Sequence, residues 1–355
     1  MNIAIDCRML GLSGVGVYTE SCLVLLLNSP HKFLLLGDEQ KLLPLVKGKN
    51  NYTIENCRVK PFSPAELFAF PKTTLEKINQ CDLYYSTFFN IPGGIKIPVF
   101  VTIHDIIFAD MPALVSFPGY LARMFFYRRC GRKAYAIFTV SEFSKVRIAY
   151  HLENRKKIIN ASTAVKKQYA DFAPGNIAKK KQILFIGNIK KHKGLSLLLD
   201  AFQSARRDGL DYELVIVGSK DNFRSGDSKT ALRIESLENQ GITFTGVIPE
   251  AEKQTLLAES ALLVHPSFYE GFGTTPLEAM LSGTHVLLSD IPVSVEAYKD
   301  FPVTFFKSGD SNDLTSKMMA LLHNKEPAVL TLSEPLRRKY SFEKTVSVIL
   351  EEFSL

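Results

Sequence analysis

The chain has 355 residues, too many for one comfortable core, so two domains of about 150 residues each are expected. With 46% hydrophobic and 22% charged residues, the composition is that of an ordinary globular protein and excludes a disordered or low-complexity chain. The net charge of +7 is unevenly spread: between positions 120 and 170, twelve lysines and arginines face two acids, Glu142 and Glu153.

A segment of that kind, with Arg123, Arg128, Arg129, Arg132 and Lys133 at its head, suits an anionic surface: lipid headgroups, phosphorylated substrates or nucleic acid. A solvated helix face is the competing explanation. The five cysteines, Cys7, Cys22, Cys57, Cys81 and Cys130, are odd in number and contain no CxxC pair. They fit buried small residues in a reducing cytosol better than a disulfide framework or a zinc site. "MNIAIDCRML" carries Asp6 and Arg8 inside its apolar run and makes a poor signal peptide. Apolar runs such as "CLVLLL" at 22–27 are too short to span a bilayer, so a soluble or peripheral protein is expected.

In chain order, "NIAID" is a short apolar strand, "RMLGLSGVGVY" a Gly-rich turn and "TESCLVLLLN" a helix. "KFLLLG" (32–37), "CDLYYST" (81–87), "VFVTIHD" (99–105) and "YAIFTVS" (135–141) follow as strands. "EFSKVRIAYHL" is a helix with Ser141 as its expected N-cap. The polar, basic stretch 154–181 has no strong period and holds the expected domain boundary near 165–180. "QILFIGN" (182–188) restarts the pattern. An amphipathic helix comes next, then strands "YELVIVG" (212–218) and "ITFTGVI" (242–248). The helix "EAEKQTLLAES", the strand "ALLVHPS" and the helix "PLEAMLSG" follow, and "HVLLSD" (285–290) is the last clear strand. The alternation predicts an α/β protein with two Rossmann-like, doubly wound parallel-sheet domains facing a central cleft.

Ligands in such sheets sit beyond the carboxyl ends of strands. That rule selects positions 8–16, His104, 188–193, 218–220 and 270–275. In "FYEGFGTTPLEAM", Glu270 lies on the loop after a strand. Gly271 and Gly273 permit a tight turn, Thr275 is the expected N-cap, and Pro276 opens a helix whose first turn holds Glu278. Such a helix start attracts phosphate, and a carboxylate there can accept bonds from ribose hydroxyls. Lys190, Lys191 and Lys193 precede another helix and suit an anion. Gly11, Gly14 and Gly16 follow the first strand but do not form a GxGxxG fingerprint. His104 closes a strand where it can bond a sugar hydroxyl or titrate near neutral pH, with Asp105 as a cap in the structural alternative. No HExxH, P-loop, GxSxG or DxD pattern is present.

Together and in this order, these pieces resemble the retaining glycosyltransferases of family 4, with the GT-B fold. The signature is E-x7-E, here Glu270 and Glu278 in "EGFGTTPLE"; "ILFIGNIKKHKGLSLLLDAF", "IDCRMLGLSGVGVY" and "TVSEFSK" are similar to other family segments. The resemblance spans about residues 3 to 350 and is strongest over 182–290. It implies a donor site of Gly14, Gly16, Asn188, Lys193, Gly218, Glu270, Gly271, Phe272, Gly273, Thr274 and Glu278. Lys193 would neutralise the donor diphosphate, Glu278 would hold the ribose, and Glu270 and His104 would stand near the sugar, so that Glu270, His104 and Lys193 form the catalytic set. It also implies an acceptor-binding domain at 1–168, a nucleotide-sugar domain at 169–335 and a helix within 336–355 that crosses back. Asn188 stands where many members carry arginine, so Lys190 or Lys191 would supply a second charge.

The expected activity is metal-independent, retaining transfer of a hexose, mannose as the first guess, to a glycan acceptor. No cofactor or metal is expected. The "GNIKKHK" run resembles mannosyl- and rhamnosyl-transferring members, which implies GDP-mannose as the first donor. A polyprenyl-diphosphate-linked acceptor and an anionic cytoplasmic membrane face suit the basic segment, with surface polysaccharide assembly as the setting. The rivals are a non-enzymatic polyanion or nucleic-acid binder and a GT-B sugar-nucleotide epimerase. No nucleic-acid partner is expected, and the sequence carries no sign of oligomeric state.

Overall fold

The structure is a computed structural model that describes residues 1–152, 156–175, 177–219, 228–237, 240–323 and 325–354. Glu153 and Arg155 of the basic segment and Lys220 of the strand-end positions 218–220 lie outside the described residues. The chain divides into two compact units, 1–166 with 340–355, and 167–339.

The first unit is built on β1 (Asn2–Asp6), β2 (Lys32–Gly37), β3 (Tyr52–Asn56), β4 (Leu83–Ser86), β5 (Val99–Thr102), β6 (Ala136–Thr139) and β7 (Lys157–Asn160). Their order is β3-β2-β1-β4-β5-β6-β7, and every pairing is parallel. The strand order reverses between β1 and β4. Ile3, Ala4 and Ile5 of β1 are buried, which is why "NIAID" is apolar on both faces. The helix Phe342–Phe353 belongs to this unit. Its Phe353 ring packs 5.1 Å from Phe100 and 5.4 Å from Tyr85, and its Glu352 pairs with Lys157 at 2.6 Å.

The second unit holds β8 (Lys180–Ile186), β9 (Glu213–Val217), β10 (Ile242–Gly246), β11 (Ser260–His265), β12 (His285–Ser289) and β13 (Thr304–Phe306). Its order is β10-β9-β8-β11-β12-β13, again parallel, and the reversal falls between β8 and β11. The helix Leu195–Arg207 lays Leu195, Leu198, Leu199 and Phe202 on the sheet at helical spacing. Burying each such side chain contributes about 1.5–3 kcal/mol.

Three strands were not visible in the sequence: β3, β7 and β13. All are sheet edges with half-exposed residues, so none carries a continuous apolar run. β7 also lies inside the stretch 154–181, read above as without strong period. Two local expectations need correction. Gly14 and Gly16 are not in a turn: the helix Ser13–Leu26 has already begun there. Gly16 is needed because a Cβ would stand 2.8 Å from both Gly11 N and Met9 O, where the helix packs on the preceding loop. The helix after Glu270 is Thr275–Leu281, capped at Thr274 rather than Thr275 and without a side-chain cap bond. Its seven residues give little basis for the phosphate-attracting helix start expected there.

Candidate active site

The switch point of the second sheet lies at the carboxyl ends of β8 and β11, and there the loops 187–194 and 266–274 meet. The join is a backbone contact: Phe268 N–H donates to His192 O at 2.7 Å. Gly194 sits in the left-handed region (φ +68°), and a Cβ there would stand 2.0 Å from Pro266 O. No other residue fits this approach. Gly194→Ala is therefore expected to lower stability by about 1–3 kcal/mol through backbone strain alone, and to displace Lys193. Denaturant unfolding checks it; wild-type stability would show that the loop can move aside.

The contact brings together residues that the sequence presents as separate motifs. Lys193 Nζ lies 2.7 Å from Glu270 Oε1. The same oxygen accepts from Ser267 Oγ at 2.7 Å, and His265 Nε2 lies 3.0 Å away. Burial pushes the Glu270 carboxyl up, but the Lys193 charge and the His265 bond outweigh it and hold it well below the usual carboxylate range. His192, beside this pair, is pushed down to about 4 by burial and by Lys193.

Glu278 is buried and has its own lysine. Its Oε2 accepts from Lys253 Nζ at 3.0 Å, and Lys253 also pairs with Glu250 at 2.7 Å. Tyr169 donates to Glu250 at 2.5 Å. Burial disfavours the Lys253 charge, but Glu278 and Glu250 overcome it and raise its pKa. Each glutamate of the E-x7-E spacing thus faces a separate cation.

The other expected donor residues are spread around this point. Asn188 and Lys190 are half-buried, and Lys191 is exposed. Gly218 N–H is committed to Gly246 O at 3.0 Å. Gly271, Gly273 and Thr274 are half-buried, with Gly273 O accepting from the Tyr298 hydroxyl. Phe272 is turned inward, 5.9 Å from the Tyr298 ring. His265 and Ser267 were missed, although the strand-end rule reaches them in "ALLVHPS". Lys253 was missed because its helix carries no motif.

In the first unit, His104 follows β5. Its Nε2 lies 3.0 Å from Thr87 O, a pure acceptor, so the proton sits on Nε2 and Nδ1 is left as an acceptor. Burial pushes its pKa down to about 4, so the expectation that it titrates near neutrality is corrected. Asp105 acts as a local cap, accepting from Ile107 N–H at 3.0 Å, and Ser141 accepts from Ser144 N–H at 3.0 Å. At the switch point of this sheet stands a network the sequence did not reveal. Arg8 pairs with Asp6 at 2.5 Å and with Glu66 at 2.6 Å, and Asn90 donates to both carboxylates.

The basic segment is less of a single patch than its composition suggests. Arg123 donates to Gly119 O and stacks over Phe108, and Arg129 donates to Ile91 O and Pro92 O. Arg147, Lys157 and Lys166 pair with Asp110, Glu352 and Glu20, acids outside the basic window. Arg128, Arg132 and Lys133 stay exposed on the helix Phe117–Lys133. The same helix exposes Phe117 (72%), Leu121 (51%) and Phe125 (47%), four residues apart. Among the described residues no helix is long and apolar enough to cross a membrane, and no group of three His, Cys, Asp or Glu could hold a metal ion.

Two parallel-sheet α/β domains of seven and six strands define the GT-B architecture. Sucrose-phosphate synthase from Thermosynechococcus elongatus shares it, with a TM-score of 0.73 at 14% identity over 99% of this chain and 98% of that one. Residues 167–337, nearly the whole second unit, match the family model for glycosyl transferases group 1. The chain is 30% identical over 179 residues to the phosphatidyl-myo-inositol mannosyltransferase of Mycobacterium leprae, covering 49% of this chain and 46% of the relative. It is 29% identical over 179 residues to the O-antigen chain mannosyltransferase B of Escherichia coli, covering 46% and 45%. The chain thus spans about half the length of the curated relatives it matches.

Proposed function

We propose that this chain is a retaining glycosyltransferase of family 4 that moves a hexose from a nucleoside-diphosphate sugar to a glycan acceptor, without a metal. The carrying observation is the Lys193–Glu270 pair at the switch point of the second sheet, inside the segment that matches the group 1 model. Lys193 supplies positive charge for a leaving diphosphate, and Glu278 offers a carboxylate to ribose hydroxyls. In the first unit, His104 keeps Nδ1 as an acceptor available to a hydroxyl. The bond from the anomeric carbon to the diphosphate oxygen breaks, the acceptor oxygen bonds the same face, and its proton passes to the departing phosphate. The bonds from Lys193, Ser267 and His265 to one oxygen of Glu270 support a holding role for this carboxylate in that route. Glu270 then orients sugar hydroxyls and offsets the positive charge that develops on the ring.

Mannose from GDP-mannose is the first donor to test, in keeping with the names of the two relatives. A thermal-shift screen over GDP, UDP, dTDP, ADP and their sugars tests the reading. A one-site ligand at one hundred times its Kd adds about 2.7 kcal/mol to stability. A rise in melting temperature with one diphosphate, and donor consumption that depends on acceptor, is the expected result. No shift with any of them would overturn it, and epimerised donor in the absence of acceptor would favour the epimerase. The polyanion-binding alternative loses support because Arg123 and Arg129 donate to backbone carbonyls, and Arg147, Lys157 and Lys166 pair with acids.

The acceptor is proposed to be lipid-linked, for example through a polyprenyl diphosphate, and reached at an anionic cytoplasmic membrane face. The support is the apolar stripe Phe117, Leu121 and Phe125 running into exposed Arg128 and Arg132. Exchanging all three apolar residues for serine is expected to abolish flotation with anionic liposomes while leaving nucleotide binding intact. Unchanged flotation would remove the helix from that role.

A further inference from the structure

We infer that His265 and Ser267 are positioning residues that grip one oxygen of Glu270 and leave the other for the transferred sugar. The inference rests on the reading of the second unit as a nucleotide-sugar site. Three donor groups converge on Oε1: Lys193 Nζ at 2.7 Å, Ser267 Oγ at 2.7 Å and His265 Nε2 at 3.0 Å. Among the described residues none donates to Oε2, and the side chain as a whole is 10% exposed. The carboxylate is therefore one-sided, with a saturated oxygen and an open one.

The three donors differ in how firmly they are held. Lys193 is a flexible cation, 23% exposed, and a diphosphate would compete for it directly. His265 ends β11, a strand paired on both sides, and its side chain is 5% exposed. Ser267 is tied by its carbonyl, which accepts from Ser289 Oγ at 2.5 Å. When Lys193 turns toward a diphosphate, His265 and Ser267 remain. They keep Glu270 from following the lysine, and Oε2 stays presented. Without them the carboxylate would be free to rotate or to stay with Lys193, and either would spoil the sugar's orientation.

The test compares His265→Leu and Ser267→Ala, which remove a donor, with His265→Gln, which retains an N–H at similar reach. Kinetics give kcat and KM, calorimetry gives GDP and UDP affinity, and carbon-13 carboxyl spectra follow the titration of Glu270 with and without inorganic pyrophosphate. Glu270→Gln assigns the signal. His265→Leu and Ser267→Ala are expected to lower kcat by about 10-fold or more, as for other supporting shells. Nucleoside diphosphate affinity should stay within about 2-fold, because the phosphate contact through Lys193 is untouched. His265→Gln should restore most of the rate. With pyrophosphate bound, Glu270 should titrate at higher pH in His265→Leu than in the wild type. Unchanged kcat and titration in His265→Leu, or a Gln variant no better than Leu, would overturn the inference. A wild type that turns over no nucleotide sugar would sink the functional reading, while the titration would still decide this one.

Discussion

Replacing Glu270 with alanine is expected to lower the rate of the proposed sugar transfer at least about 100-fold. Three donor groups of its own unit converge on the carboxylate.

 The open oxygen Oε2 is the group that the substitution deletes from the sugar, and the loss should fall on kcat more than on binding. Deleting the side chain also leaves Lys193, which is partly exposed and can rehydrate, so the variant should remain folded. Initial rates with nucleotide sugar and acceptor, alongside a melting curve, check the prediction. Near-normal turnover by a folded Glu270→Ala protein would remove Glu270 from the chemistry.

Lys193→Ala is expected to do comparable damage, at least about 100-fold in rate, for a different reason. It removes the cation proposed for the leaving diphosphate, so nucleoside diphosphate affinity should fall together with the rate. Near-normal turnover by the folded variant would dismiss that role. The variant also leaves a buried carboxylate without its charged partner. Hydrogen bonds to charged groups are worth about 1.5–3 kcal/mol, and a loss of that order is expected in stability.

The pH dependence follows from the direction of the Glu270 shift. Its folded pKa lies below the unfolded value of about 4.3, so ionisation favours the folded state above that pH. The contribution is fully present at neutrality and disappears as pH falls through the depressed folded pKa. Without Lys193, burial pushes the carboxyl upward again, so Lys193→Ala should lose stability from a higher pH than the wild type during acidification. Acid unfolding curves of the two proteins that superimpose would contradict this account of the pair.

Much of the fold could be anticipated because buried strands leave an apolar run. β1, β4, β5, β6, β11 and β12 lie within their sheets and are almost wholly buried, and each was found from its sequence. β3, β7 and β13 lie at edges, where one side meets solvent and polar residues are tolerated, so their pattern is too weak to see. The start of the helix Ser13–Leu26 was misplaced for a related reason. Glycines at 14 and 16 suggest a turn, but at 16 the glycine serves close packing of a helix on the loop before it.

The sequence by itself determined which polar residues stand at strand ends, because the alternation of elements is a local property. Glu270, Lys193 and His104 were marked that way, and Glu278 by its place in the first turn of the next helix. The tertiary structure decided which of them act on one another. Lys193 and Glu270 are 77 positions apart and meet at 2.7 Å because Gly194 lets two loops approach beside the switch point. Lys253 and Glu278 are 25 positions apart and meet at 3.0 Å without any motif to announce it. The pKa values followed the same division. Whether a carboxylate or an imidazole is charged depends on burial and on neighbouring charges, and those are set by the packing of distant segments, as the shifts of Glu270 and His104 show.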